Sequence, residues 1–323
     1  MIKRTQNRVA ESRLTLSVVM AYGIAVWIAS GLLVPTVPIT SAELLRGAWV
    51  QFACFIISAL LMVEMNNSNA LIRIYSRTIS CSFIVLMCAG CFLFSSLGGA
   101  IVQLCMVAAC TAAFHCYQNK LSMGWTYYAF LCVGLASTIF IQVLFYVPLF
   151  WALMYFRLTS LSWRTFFASV AGLLTPYWFA MPVLAYQGSV DMLWSHLSAI
   201  ADFQMPLVYS SVTVNEMLLF VFVVALGITG TVHFILQKSA DSIRIRQFFG
   251  CFIYTWILTA TFIVLQPRHY DMLIRILIIN VAPLIAHFLT LTYSRITNIA
   301  FYVICAVALL LTGFSLWMPS LPF

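Results

Sequence analysis

Charge is scarce in this chain: 7% of its 323 residues are Asp, Glu, Lys or Arg, and only eight of them are acidic. A soluble domain of this size needs a polar surface that so few ionisable groups cannot supply. The GxxxxGK[ST] loop is missing as well, which excludes an ATP-driven motor of that type within the chain. The basic residues fall in short loops rather than in a patch or stripe, so the net charge of +8 does not indicate nucleic acid. Ten cysteines are present, nearly all inside apolar runs, where a thiol packs as a small hydrophobe. Cys88 and Cys91 form a CxxC without the βαβ setting of a redox motif, and no disulfide framework is indicated. No metal site is expected, and the sequence names no cofactor.

What remains is hydrocarbon. Hydrophobic residues make up 63% of the chain, with 26 Phe and a mean hydropathy of +1.03. Apolar runs of about 18 residues or more recur along its length, enough to cross ~30 Å of hydrocarbon as helix. Barrel strands would be ~10 residues of alternating polarity. The fold expected is therefore all-α, a single polytopic transmembrane bundle over residues 1–323 with no soluble domain.

Breaks at Pro, Gly and charge give about eleven spans (10–12): 14–34, 48–65, 79–97, 98–115, 124–140, 141–156, 166–186, 215–236, 247–265, 272–291 and 297–318. The stretch 124–156 is read as a tight pair turning near Gln142. With the N-terminus inside, the cytoplasmic loops hold Lys3, Arg4, Arg8, Arg13, Arg73, Arg77, Lys120, Arg157, Arg164, Lys238, Arg244, Arg246 and Arg295. These are thirteen of the sixteen basic residues, leaving Arg46, Arg268 and Arg275 outside. The positive-inside rule then gives N-in and C-out. The basic start and ~20-residue apolar run fit a retained first span better than a cleaved signal.

Two connections carry polarity. In residues 66–80, NNSNALIRIYSRTIS, an interfacial helix would place Arg73 and Arg77 at lipid headgroups, or at a phosphorylated substrate flanked by Asn66, Asn67 and Asn69. In the outer loop 187–214, Val190, Leu193, Trp194, Leu197 and Ile200 follow the spacing of an amphipathic helix, with Asp191 and His196 on its other face. Asn215 is expected to cap the following span, with Glu216 favourable in its first turn. His287 and His233 lie within spans and are read as neutral imidazoles bonded to neighbouring helices. No ladder of buried acids or paired histidines is visible, which weighs against a proton-driven pump.

The stretch MVEMNNSNALIRIYSRTIS, with LASTIFIQVLFYVPLFWALM and QPRHYDMLIR, resembles an uncharacterised family of polytopic inner-membrane proteins of Bacteroidota. The resemblance implies an inner-membrane location and transfers no catalytic residue. QPRHYDMLIRILIINVAPLIAHFL is similar to the late segment of GT-C-type glycosyltransferases, which act on polyprenyl-phosphate sugars and use an acidic residue in the first outer loop. Glu43 is the acid available there, although that loop is short and holds no paired acids.

Three functions follow. The first is an envelope enzyme acting on a polyprenyl-phosphate-linked glycan at the outer face. Glu43 and Asp191 would be its catalytic carboxylates, with Arg46, Arg268, Arg275, His269 and His196 binding substrate. The second is a transporter or flippase for an amphiphile, using Gln142, Asn280 and His287 near mid-depth and breaks at Pro148, Pro176 and Pro182. The third is a non-catalytic subunit beside another membrane protein, with Ala89, Gly90, Gly98, Gly99 and Ala100 permitting close approach. In QPRHYDMLIR, Asp271 and Arg275 are four apart and expected to pair, with Arg275 snorkelling back to water.

Overall fold

The computed structural model describes residues 5–33, 42–203 and 212–317, with 42–45 as backbone only. Lys3 and Arg4 therefore lie outside the described residues, as does the side chain of Glu43. The helices are α1 Thr5–Glu11, α2 Thr15–Leu33, α3 Ala42–Asn69, α4 Thr78–Ala89, α5 Leu97–His115, α6 Met123–Ile139 and α7 Tyr146–Phe156. They continue as α8 Trp163–Tyr186, α9 Val190–Ser198, α10 Val214–Gln237, α11 Ile243–Leu265, α12 Tyr270–Leu291 and α13 Arg295–Trp317. Eight of them (α2, α3, α5, α8 and α10 to α13) are long and apolar enough to cross a membrane, which marks a multi-pass membrane protein. The other three expected spans fall on shorter pieces: α4 with a 3₁₀ turn at Cys91–Ser95, α6, and a 3₁₀ turn at Ile141–Phe145 leading into α7.

The chain forms two compact units, Met1–Ala100 with Leu207–Phe323, and Ile101–Pro206. In the second, α6 and α8 run parallel with backbones nearly touching: a Cβ on Gly134 would lie 2.8 Å from the Leu173 carbonyl oxygen. Small residues at such contacts let helices approach without a side chain between them. Tyr127 and Ser137 of α6 bond through hydroxyls to Thr175 and Tyr177 of α8. Between them the chain reverses at Phe140, and Trp151 of α7 returns to stack near Phe130 and to donate to Ser169 Oγ. Segment 124–156 is thus an antiparallel pair, its turn held by Gln142 donating to the Ala199 carbonyl. Pro176 and Pro182 sit inside a continuous α8, and Pro148 lies in the first turn of α7.

The first unit is built around α12. Every residue from Leu273 to Thr290 is buried, as expected of a helix apolar on all sides. α4, α10 and α11 pack around it. α10 runs parallel to it: Tyr270 donates to the Glu216 carbonyl, Gly227 faces Val281 and Gly230 faces Leu284. A Cβ at Gly230 would meet Leu284 backbone at 2.7 Å, so this crossing needs glycine.

Two local expectations are corrected. No helix forms over 70–77: α3 runs through Asn69, Ala70 takes a positive φ of 48°, and the chain is irregular until Thr78. Asn66 directs this by accepting from the Ile72 amide and donating to the Ser76 carbonyl, a local bonding that competes with helix. The cap of α10 is Thr213 rather than Asn215, in a capping box with Glu216, which does stand in the first turn. The amphipathic helix of the 187–214 loop is present as α9.

Candidate functional site

The two ends of α12 carry the polar chemistry of the first unit. At its start, Arg275 is 1% exposed and does not snorkel, which corrects that expectation. Its guanidinium lies 3.0 Å from Asp271 Oδ1, the pairing expected from their spacing, and donates to the Leu93 carbonyl. That carbonyl also accepts from Gln51 of α3, so the starts of α3 and α12 meet at one end of the unit. Arg46, exposed on α3, and Arg268 and His269, in the 3₁₀ turn before α12, belong to this end. The carboxylates there have structural work: Asp271 pairs with Arg275, and Glu216 accepts from the Thr213 amide. The neighbouring cavity, about 330 Å³, is lined by Tyr270, Pro267, Phe220 and other uncharged residues. In the second unit Asp191 is exposed in the first turn of α9, and His196 Nε2 bonds to the Ser137 carbonyl at 2.9 Å.

The opposite end of α12 holds a cluster that the sequence did not reveal. α10 ends at Gln237, and the turn into α11 folds beneath α12 and buries Asp241. Ser242, accepting from the Ile245 amide, caps α11 and fixes the turn. Asp241 Oδ2 lies 3.1 Å from His287 Nε2, and its Oδ1 lies 3.0 Å from Arg73 Nε. The Arg73 contact is an ion pair, and Arg73 is anchored further by donating to the Ala240 carbonyl. On its other side, His287 Nδ1 is 3.4 Å from His233 Nδ1 of α10. His233 and His287 face one another because α10 and α12 keep one register along their contact. The absence of paired histidines is therefore corrected.

Rings flank the cluster. Phe249 and Phe234 stack on each other at 4.9 Å and stand edge-on to His287, and Phe288 stands edge-on to His233. The far nitrogen of the pair, His233 Nε2, is buried with no hydrogen-bond partner among the described residues. Arg73, with 38% of its side chain exposed, brings one end of the file to the surface, and His233 at the other end is half-buried. Arg73 thus pairs with Asp241, while Arg77 lies over the Tyr75 ring at 5.9 Å.

The bonding restricts where protons sit. An Asp241 carboxylate accepts from a His287 Nε2–H, which leaves Nδ1 of a neutral His287 as an acceptor. With that tautomer of His287, a hydrogen bond across the Nδ1 contact requires His233 to donate from Nδ1, with its lone pair at Nε2. No group of three or more His, Cys, Asp or Glu placed to hold a metal ion occurs among the described residues. The chain matches no family model, no curated protein and no solved structure.

Proposed function

We propose that this is an inner-membrane protein that couples proton movement through His233, His287 and Asp241 to the translocation of an amphiphile. The observation that carries the reading is the file of ionisable groups, buried at Asp241 and His287, that ends in a half-buried His233 whose Nε2 has no partner among the described residues. Ionisable residues inside a spanning bundle mark proton relays and substrate paths, because burying them without a use is costly. In the step proposed, a proton binds His233 Nε2. The N–H bond at His233 Nδ1 breaks as one forms at His287 Nδ1, and the His287 Nε2 proton passes to Asp241 Oδ2. The neutral acid then weakens its hold on Arg73, which opens the file to water. Between Arg275 and His287, Asn280 is the only polar residue of α12, and its amide donates to Ile276 of its own helix. α12 itself thus offers little to hydrate a polar solute. An amphiphile, whose chain stays in lipid, is the substrate class that fits.

The topology proposed with it has eleven crossings, N-in and C-out, which puts Asp241 on the cytoplasmic side. α4 and its 3₁₀ turn support the count. Twelve residues at ~1.5 Å and five at ~2.0 Å rise span about 28 Å, close to the hydrocarbon thickness. The envelope-enzyme reading loses Arg275, which is committed to Asp271 and the Leu93 carbonyl, while Asp191 stays exposed on α9. The test is translocation of a fluorescent phosphatidylglycerol in proteoliposomes under an imposed pH gradient. The expected result is gradient-dependent translocation that is lost in Asp241→Asn and His287→Gln. Equal rates in proteoliposomes and protein-free vesicles would reject the function.

A further inference from the structure

The short helix α1 is too polar to span, yet Gln6 and Asn7 are buried. They tie α1 to the end of α12: Gln6 Nε2 bonds Thr292 Oγ1 at 2.9 Å, and Asn7 donates to the Thr292 carbonyl. Held this way, α1 stands away from the helices behind it. A cavity of about 140 Å³ is left among α1, α2, α4, α10, α12 and α13, walled by Val85, Leu226, Ile285 and Ile304. A second hollow, about 390 Å³, opens beside it at Arg8, Ser12 and Leu14. The two share Val9, Thr15 and Val19 in their linings, so they adjoin there, with a basic mouth on one side and an apolar interior on the other.

Water is a poor occupant of the inner part. A buried water needs two to four polar partners, and the walls offer almost none. Gln6 lines the inner cavity, and its Oε1 is buried without a hydrogen-bond partner among the described residues. An acceptor of this kind asks for a ligand hydroxyl. Arg8, two residues along α1, is exposed at the mouth and suits a phosphate. Gln6 lines the inner hollow and Arg8 the outer one, on different sides of α1, so a ligand that reaches both must pass between the hollows.

We infer that these adjoining hollows bind one anionic glycerophospholipid with a hydroxyl-bearing head group: an acyl chain in the cavity, the phosphate at Arg8 and a head-group hydroxyl at Gln6. The proposal is independent of proton transport. Lipid binding is read in detergent without a gradient, so failure of either leaves the other standing. The experiment is native mass spectrometry of the full chain titrated with phosphatidylglycerol or phosphatidylcholine of matched acyl chains. The expected result is one tightly held phosphatidylglycerol, at least ~10-fold preferred over phosphatidylcholine. Arg8→Gln should weaken it roughly fivefold, the effect of one arginine near a membrane surface. Val19→Trp, which crowds the lining shared by both hollows, should abolish it. Equal binding of the two lipids, or unchanged phosphatidylglycerol binding in a folded Val19→Trp protein, overturns the proposal. Should Val19→Trp fail to fold, Arg8→Gln decides alone, and unchanged affinity there overturns it too.

Discussion

Removing the Asp271 carboxylate should destabilise the protein more than removing the arginine it serves. Arg275 is 1% exposed, whereas the Asp271 side chain is 35% exposed. Stripping the partner from a fully buried ion pair costs about 3–5 kcal/mol. Water already reaches Asp271 and can partly replace it, so Asp271→Ala should cost about 2 kcal/mol. Arg275 would keep its bonds to the Leu93 and Asp271 carbonyls, but not its counter-charge. Arg275→Met removes the buried charge itself. It leaves Asp271 to water and the Leu93 carbonyl with Gln51 alone at 3.3 Å, a loss of about 1 kcal/mol. The double variant should then resemble Arg275→Met, giving a coupling of about 2 kcal/mol, within the range for contacting groups. Unfolding in mixed micelles can be followed with a thiol-reactive dye, because all ten cysteines are free and eight are buried. Additive losses, or a greater loss from Arg275→Met than from Asp271→Ala, would refute a buried arginine held by its carboxylate.

Other substitutions probe the packing. Gly230→Ala should cost about 1–3 kcal/mol by the same assay, because its Cβ meets Leu284 backbone that cannot turn aside. Gly313→Ala, with nothing within 4 Å, should be neutral or gain up to about 1 kcal/mol from helix propensity. Thr213→Ala removes the cap of α10 and should lower stability by about 1 kcal/mol, seen as earlier hydrogen exchange at the Glu216 amide.

The helices were legible because an uninterrupted apolar run has one stable form in lipid, and each expected span falls on a helical segment. The reversal near Gln142 and the amphipathic α9 were legible for the same reason: breaks and spacing are local. The Asp241 cluster was not, because it depends on register between helices far apart in sequence. Asp241 sits in a polar turn, among residues that look like an ordinary solvated loop, and becomes buried only when that turn folds beneath α12. One signal was available. Gly227 and Gly230 mark the face of α10 that touches another helix, and His233 continues that face one turn further. Asn66 misled in the other direction, since its side chain satisfies the backbone of 72–76 and removes the need for a helix there. At the start of α12 the pairing of Asp271 with Arg275 was readable from their spacing. The depth of Arg275 was not, because it follows from Leu93 and Gly99 closing over it.

The most direct measurement is ¹⁵N NMR of histidine-labelled protein in lipid, reading which ring nitrogen of His233 and of His287 carries the proton. A single proton-bonded file requires His287 protonated at Nε2 and His233 at Nδ1, with a bare His233 Nε2 that gains the next proton supplied. In Asp241→Asn the carboxylate that fixes His287 is gone, and the preference of both rings should disappear together. A neutral His233 protonated at Nε2 beside a neutral His287 protonated at Nε2 would set two lone pairs face to face across the Nδ1 contact. That result would contradict the file.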